Sequence, residues 1–517
     1  MPSKRQMIRS SMMVVGLFSF LGSLTGILVE TAIAAHLGLS KSSDTFYAAF
    51  TIPYVLTNLL RTAGQFSLVP FFSSLEARHA PEGLWRGFSY AVSVIFLGLS
   101  GVTALGALTA PWLIRGLAPG FTRPETLLAS QLCRWLFLIL LPAGVAEAIR
   151  SFLFSQHRFA VAASGNFCRN GIVIASILLT FHRLGFYSIV FGYIVGYLVQ
   201  LGVLGAQLVV SFQVRYSLTL AGSGEAFRNL HGAGAAQVTA ALGWHGLVVV
   251  ERMIASFLPP GTLTALAYGM KIMSTLSELL AGSVGTAALP TLARAFARQQ
   301  GEEVRRALRS AIQIVLLLIS PVMVFCLMLS VHIIRLIFER GSFTPQATAL
   351  LGRIFFCYSL SLLLYGALRI MNVYLFARNE AVAFLHLATL QYGLEVALDL
   401  LYVGIFRWQT AGIPLALLTS LAVVSAVVWA RDIGGMRQSL DRTLAAYFLK
   451  TLAAAALAAL GVWGLCAATA APRTNFGNFL FLCEACGAGT VAFFATLVAL
   501  RALRLSQVSA LWTRAEG

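Results

Sequence analysis

Residues 311–329 read AIQIVLLLISPVMVFCLML, a run that contains no charged side chain. A helix of this length spans about 30 Å, which matches the hydrocarbon core of a bilayer. In hydrocarbon every backbone polar group has to be bonded within the protein, and a barrel strand needs only about ten residues to cross. The run therefore predicts a transmembrane α-helix.

The same pattern recurs along the chain of 517 residues, of which 58% are hydrophobic and only 11% charged. Soluble domains contain about 25% charged residues, so lipid is the expected solvent for most of this surface. Apolar stretches lie at 11–36, 45–70, 88–114, 129–155, 160–181, 187–211, 233–258, 263–290, 308–335, 347–377, 381–405, 411–430, 445–468 and 478–502. They predict an all-α polytopic membrane protein with about fourteen transmembrane helices and no separate soluble domain.

Lysine and arginine outnumber the acidic residues and give a net charge of +18. In a soluble protein this charge would suggest nucleic acid, but here the basic residues lie mostly in short breaks between apolar runs, so no nucleic-acid partner is expected. One such break contains Arg294, Arg298 and Arg305, and another contains Arg431 and Arg437. By the positive-inside rule these loops are cytoplasmic, and both termini are predicted to be cytoplasmic too.

The two halves of the chain share short motifs at a spacing of about 220 residues. Glu30-Thr-Ala-Ile-Ala-Ala-His-Leu37 resembles Glu251-Arg-Met-Ile-Ala-Ser-Phe-Leu258, and Ala148-Ile-Arg150 resembles Ala367-Leu-Arg369. Leu68-Val-Pro70 matches Leu289-Pro290 in the same way. This spacing predicts a repeat of six helices, an even number that gives both copies the same orientation in the membrane.

The repeat sets the predicted domain boundaries. Two pseudo-symmetric six-helix lobes are expected at 1–215 and 230–432, followed by helices 13 and 14 at 443–503 and a cytoplasmic tail at 504–517. Transporters with such repeats hold the substrate between them and expose it alternately to the two sides of the membrane. The organisation therefore indicates transport.

Basic residues inside the predicted spans are candidates for substrate binding, because an ionisable group at the bilayer centre costs about 2.5–3.5 kcal/mol. Arg61 and Lys271 lie deepest, where a water-filled cavity and an anionic substrate are expected. Arg150 and Arg369 lie near the cytoplasmic ends of helices 4 and 10. Their long side chains either reach the lipid headgroups or join the same cavity at symmetric positions.

Acidic residues of the second half suggest a cation site. Glu395 and Asp399 are four residues apart and share one face of helix 11. Glu251 and Thr419 are expected at comparable depth, so that together these residues offer hard oxygen ligands for Na+ or a site for a proton. The alternative is that the two acids only bond arginine or serine groups within their own lobe.

No pattern indicates an enzyme. The sequence contains no phosphate-binding loop of the ATPase type, no Ser/His/Asp arrangement and no metal-ligand cluster. Seven cysteines are scattered through apolar runs, and Cys483 and Cys486 form a lone CxxC pair that we interpret as structural. No cofactor is expected apart from Na+ or H+ as a coupling ion.

Several stretches together resemble the MurJ (MviN) family of lipid II flippases, within the MOP exporter superfamily that also includes the MATE transporters. These are GILVE at 26–30, DTFYAAFTIP at 44–53, LAYGMK at 266–271, GTAALP at 285–290 and IFERGSFT at 337–344. The resemblance extends over nearly the whole chain. It implies two six-helix lobes in a V shape and two final helices that form a groove for a lipid tail.

The resemblance also implies a function and site residues. Members move the peptidoglycan precursor linked to undecaprenyl pyrophosphate from the inner to the outer leaflet of the bacterial inner membrane, without ATP. The driving force is the membrane potential or an ion gradient, and a monomer in contact with the cell-wall synthesis machinery is expected. By position, Glu30, Asp44 and Lys271 match family site residues, whereas Glu251, Asp399 and Thr419 fall where some members bind a cation.

The chain departs from the family pattern at positions that matter for the substrate. Family members carry arginines where this chain has Ser23, Val29 and Thr57, and a glutamate where it has Thr62. Arg61, one turn from Thr57, is the expected substitute, because a guanidinium suits phosphate oxygens. Three alternatives stay open: a flippase for another lipid-linked glycan, a cation-coupled drug exporter, and a structural scaffold for cell-wall enzymes.

Overall fold

The computed structural model describes residues 4–78, 81–220, 235–431, 442–469 and 474–502. All regular secondary structure within these ranges is helical, which confirms the all-α prediction. The predicted tail at 504–517 and the loop residue Arg437 lie outside the described residues.

The helices of the first half are α1 (Lys4–Leu37), α2 (Lys41–Ala63), α3 (Pro81–Leu117), α4 (Arg123–Leu136), α5 (Phe159–Leu184), α6 (Phe186–Ser211) and α7 (Ala235–Ala255). Two of them continue beyond these bounds. A π-helical turn at Gly64–Leu68 extends α2 into Val69–Arg78, and a 3-10 turn at Phe137–Ile139 extends α4 into Leu140–Ser155. Each predicted apolar stretch of this half overlaps one of these helices, but several helices begin or end six to eight residues outside the predicted bounds.

The helices of the second half are α8 (Thr262–Ser277), α9 (Gly301–Met328), α10 (Pro345–Ala377), α11 (Ala381–Asp399), α12 (Gln409–Ala430), α13 (Arg442–Ala468) and α14 (Asn475–Ala499). Three of them are extended. A π turn at Glu278–Gly282 leads α8 into Ser283–Ala297, the short helix Ser330–Phe338 follows α9, and a π turn at Leu400–Ile405 ends α11.

Thirteen helices within the described residues are long and apolar enough to cross a membrane, and α2 is the exception. It carries charged and polar residues along its length, among them Asp44, Thr51, Thr57 and Arg61. Most of its first four turns is nevertheless buried. A polar helix can lie at membrane depth only when other helices shield it from lipid, so α2 is a helix of the protein interior.

The chain forms two compact units. The first contains Met1–Thr264 together with Arg340–Phe343, and the second contains Ala265–Glu339 together with Thr344–Gly517. The boundary at Thr264 places α7 in the first unit. The lobe boundaries expected from the repeat, at 1–215, 230–432 and 443–503, stay a prediction.

In the first unit α5 packs along α1 and α6, and α2 packs against α4 and α7. An aromatic cluster joins α2, α3 and α4, where the rings of Phe72 and Phe88 lie 5.6 and 5.0 Å from the ring of Phe152. In the second unit α13 and α14 pack on each other and on α9. The small residues Ala454 and Ala458 allow the close approach there, as is usual for helices in lipid.

Candidate functional site

Asp44 lies in the first turn of α2, where its buried carboxylate accepts three hydrogen bonds from the end of the first unit. The backbone N–H of Gly261 donates to Oδ2 at 2.7 Å. The backbone N–H and the hydroxyl of Thr264 donate to Oδ1 at 2.8 and 2.7 Å. A helix begins at Thr262, so Asp44 caps backbone groups that would otherwise lack partners. Its predicted role at the substrate stays a prediction.

Glu30 is half-buried on α1 and accepts a hydrogen bond from the hydroxyl of Tyr47 on α2. Tyr47 itself is only 7% exposed. The Glu30 carboxylate, which the family resemblance places at the site, is therefore bonded to α2 within the same unit.

Arg150 forms an ion pair with Glu147, one turn earlier on α4. The Nη2 and Nε atoms of Arg150 lie 2.7 and 3.2 Å from Oε1 of Glu147. The two side chains are only 15% and 11% exposed, so the pair is largely enclosed. Glu147 in turn lies against Gly64 in the π turn of α2, where any Cβ would collide with the carboxylate.

Arg369 in the second unit also has a carboxylate partner, but that partner comes from another helix. Its Nη2 pairs with Oε2 of Glu278, the first residue of the π turn of α8. Gly366 stands three residues before Arg369, in the place that Glu147 has relative to Arg150. The repeat thus retains a neutralised arginine in both units while the source of the carboxylate differs.

Arg61 and Lys271, by contrast, have no carboxylate within ion-pair distance in the part of the chain that the structure describes. Arg61 is exposed in the first unit and Lys271 is half-buried in the second. Arg61 lies close enough to Glu147 and His245 to interact with both electrostatically.

His245 on α7 is a functional candidate that the sequence reasoning missed. Its side chain is buried, with 8% of the residue exposed, and its Nδ1 has no hydrogen-bond partner among the described residues. Its place inside an apolar run could have identified His245 as a candidate, because a polar side chain within the membrane costs free energy.

The second unit contains three of the four residues predicted to bind a cation. Glu395 and Asp399 are both fully buried on α11, and the hydroxyl of Ser420 on α12 donates to Oε2 of Glu395 at 3.3 Å. The hydroxyl of Thr419 accepts from Tyr402 at 3.4 Å and donates to the carbonyl of Leu415 at 2.9 Å.

Glu251, the fourth predicted cation ligand, belongs to the first unit, where it is half-buried on α7. Within the described residues, no group of three or more His, Cys, Asp or Glu side chains is arranged to hold a metal ion. Any cation held in the second unit alone would therefore rely on two carboxylates and on hydroxyl or carbonyl oxygens.

Membrane-length helices with charged residues held inside them define a multi-pass membrane protein of the transporter type. The family model described as "Lipid II flippase MurJ" matches residues 33–482, so the chain belongs to this family. This confirms the resemblance noted in the sequence.

Relatives and solved structures agree with this assignment. A probable lipid II flippase MurJ of Rhizobium meliloti is 27% identical over 508 residues, which cover 94% of this chain and 93% of that protein. A probable lipid II flippase MurJ of Helicobacter pylori is 26% identical and covers 71% of this chain and 84% of its own length.

A lipid II flippase MurJ in an inward closed conformation has the same fold, with a TM-score of 0.77, 18% identity, and coverage of 94% of this chain and 100% of that one. An inward-facing MATE family multidrug transporter of the MOP superfamily follows with a TM-score of 0.66 and 15% identity, over 82% of this chain and 96% of that one. These likenesses confirm the MOP-type fold.

Proposed function

We propose that this protein translocates lipid II, the peptidoglycan precursor linked to undecaprenyl pyrophosphate, from the inner to the outer leaflet of the bacterial cytoplasmic membrane. The observation that carries the proposal is the family match over residues 33–482. The match covers helices of both compact units, so it concerns the whole transporter and not an isolated segment. The chain acts as a transporter and not as an enzyme.

Arg61 and Lys271 are the basic residues to which we assign binding of the pyrophosphate. Neither side chain has a carboxylate partner among the described residues, so each retains its full charge for an anion. Arg61 offers a planar fork that matches phosphate oxygens, whereas Lys271 offers a point charge.

Arg369 and Arg150 differ in how readily their guanidinium groups could bind the substrate. In the Arg369–Glu278 pair the side chains are 37% and 58% exposed, so an incoming phosphate can compete with Glu278. The Arg150–Glu147 pair is enclosed and would leave a buried carboxylate behind if it opened. We therefore propose a substrate contact for Arg369 and a structural role for Arg150.

Transport proceeds by alternating access without ATP, driven by the membrane potential or by an ion gradient. The buried acids Glu395 and Asp399 support a coupling site for Na+ or H+, to which Thr419 and Glu251 are assigned from the sequence alone. Both termini are cytoplasmic, and the protein works as a monomer in contact with membrane lipids and with the cell-wall synthesis machinery.

Complementation tests the function directly. The chain is expressed in a bacterium depleted of its own lipid II flippase, its membrane insertion is verified, and lipid II at the outer surface is measured. We expect rescue of growth and exposure of lipid II. Lys271→Ala should abolish both, whereas Arg134→Ala, at an exposed position of α4, should leave both intact. An inserted protein that neither rescues growth nor exposes lipid II contradicts the proposal.

A second candidate is a flippase for another lipid-linked glycan. The family resemblance places arginines at three positions where this chain has Ser23, Val29 and Thr57. This difference favours a substrate whose head group differs from that of lipid II. Loss of a surface polysaccharide on deletion of the gene, together with failure to rescue the depleted strain, would support this candidate. A scaffold would instead tolerate Lys271→Ala and Asp399→Ala together.

A further inference from the structure

Arg169 is a basic residue in the middle of α5 that the proposed function has not used. It is half-buried, whereas Arg61, Arg134 and Arg353 are exposed. No carboxylate lies within ion-pair distance of its guanidinium in the described residues. A charged side chain in the middle of a membrane-spanning helix costs free energy unless water or an anion reaches it.

The surroundings of Arg169 hold its side chain in one orientation. The Nε and Nη2 atoms donate to Oδ1 of Asn170 at 3.3 and 3.1 Å. The guanidinium carbon lies 4.8 Å from the ring centre of Tyr197, and the stem passes over Gly196 on α6. A guanidinium stacked on a ring keeps donors at its edge, and within the described part of the chain Nη1 has no acceptor.

The cluster around Arg169 contains further polar groups on several helices of the first unit. The phenol of Tyr193 on α6 is buried and interacts electrostatically with Glu30, Arg169, Tyr197 and Tyr54. Tyr54 is 39% exposed, and Glu30 and Arg169 are half-buried, so the protein encloses the cluster only in part.

Asn170 fixes this part of α5 to α1. Its Nδ2 donates to the carbonyl of Gly22 at 3.1 Å and to the hydroxyl of Thr25 at 3.2 Å. The same amide accepts from the Arg169 guanidinium through Oδ1, so this guanidinium lies beside the turn of α1 that contains Gly22 and Thr25.

We infer that Arg169 is a further substrate ligand, which binds an oxyanion of the lipid-linked precursor with the free edge of its guanidinium. The inference rests on the proposed function and adds a residue to its binding site. The oxyanion is either the pyrophosphate or a carboxylate of the stem peptide, and a guanidinium fork recognises both.

Binding measurements on the purified full chain separate these sources. The probes are farnesyl pyrophosphate, which lacks the glycan, and a soluble muramyl pentapeptide, which lacks the pyrophosphate. We expect Arg169→Gln to weaken the binding of one probe about tenfold or more and Arg169→Lys to weaken it less. Weaker binding of farnesyl pyrophosphate assigns Arg169 to the pyrophosphate, and weaker binding of the pentapeptide assigns it to a carboxylate.

The control is Arg353→Gln, at an exposed position of α10 in the other unit, which should bind both probes as the unaltered protein does. If Arg169→Gln also binds both probes unchanged, Arg169 is not a ligand, while the proposed function stands. If the unaltered protein binds neither probe, the inference falls, whereas the complementation experiment decides the proposed function independently.

A second measurement needs no variant and covers the case in which Arg169→Gln does not fold. Phenylglyoxal modifies accessible arginines, and peptide mass spectrometry reports the extent at each position. The probe that binds should slow the modification of Arg169 severalfold and leave Arg353 unaffected. Equal modification of Arg169 with and without a bound probe would overturn the inference.

Discussion

Glu147 bonds Arg150 within one turn of α4, and its carboxylate occupies the space that Gly64 leaves free in the π turn of α2. Helices α2 and α4 therefore pack closely against the Glu147–Arg150 ion pair. Because both side chains are largely enclosed, the pair and the glycine depend on each other.

Gly64→Ala should destabilise the protein. The added Cβ meets Oε1, Cγ and Cδ of Glu147, so either the ion pair or the contact between α2 and α4 has to shift. Overpacking of this kind costs about 1–3 kcal/mol. Denaturant unfolding in detergent measures the change. Gly101→Ala on α3 is the control, since no atom lies within 4 Å of its Cβ position, and it should be neutral or slightly stabilising.

Glu147→Gln and Glu278→Gln should have unequal effects on the free energy of unfolding. The first leaves Arg150 charged and enclosed without an opposite charge, at a cost of about 3–5 kcal/mol. The second breaks a pair whose side chains are 37% and 58% exposed, at a cost of about 0–1 kcal/mol. Equal losses in the two variants would show that enclosure does not decide the strength of these pairs.

Asp44→Ala should destabilise the protein by about 4.5 kcal/mol or more. The change removes the acceptor of three hydrogen bonds from Gly261 and Thr264, and each bond to a charged group contributes about 1.5–3 kcal/mol. Lys41→Ala is the matched control on the same helix turn. Its ion pair with Glu125 lies 3.3 Å apart with Lys41 61% exposed, so a loss below about 1 kcal/mol is expected. Similar losses for both variants would argue against the capping role of Asp44.

Sodium should stabilise the purified protein if it is the coupling ion. At a concentration about a hundred times the dissociation constant, a bound ion adds about 2.7 kcal/mol to the free energy of unfolding. Asp399→Asn should remove this effect, because it takes a charge from the buried pair on α11. Glu484→Gln, at an exposed position of α14, should retain it. If sodium does not stabilise the unaltered protein, the Na+ site is wrong, and a proton or the membrane potential alone drives transport.

Some side-chain contacts of these charged residues follow from their spacing in the sequence, and others do not, for physical reasons. Glu147 and Arg150 are three residues apart on one helix, so their pairing could be read from their spacing. Glu278 and Arg369 lie on different helices, and no local pattern links them. Arg169 was visible as a charged residue in a span, but its stacking on Tyr197 depends on how α5 packs against α6.

The sequence by itself determined the helices, their approximate ends and the family, because a bilayer imposes length and hydropathy on each crossing segment separately. Only the tertiary structure decided which charges are neutralised and which stay available for an anion. That distinction depends on distances between side chains far apart in the chain, such as Asp44 and Thr264, and chain packing alone sets those distances.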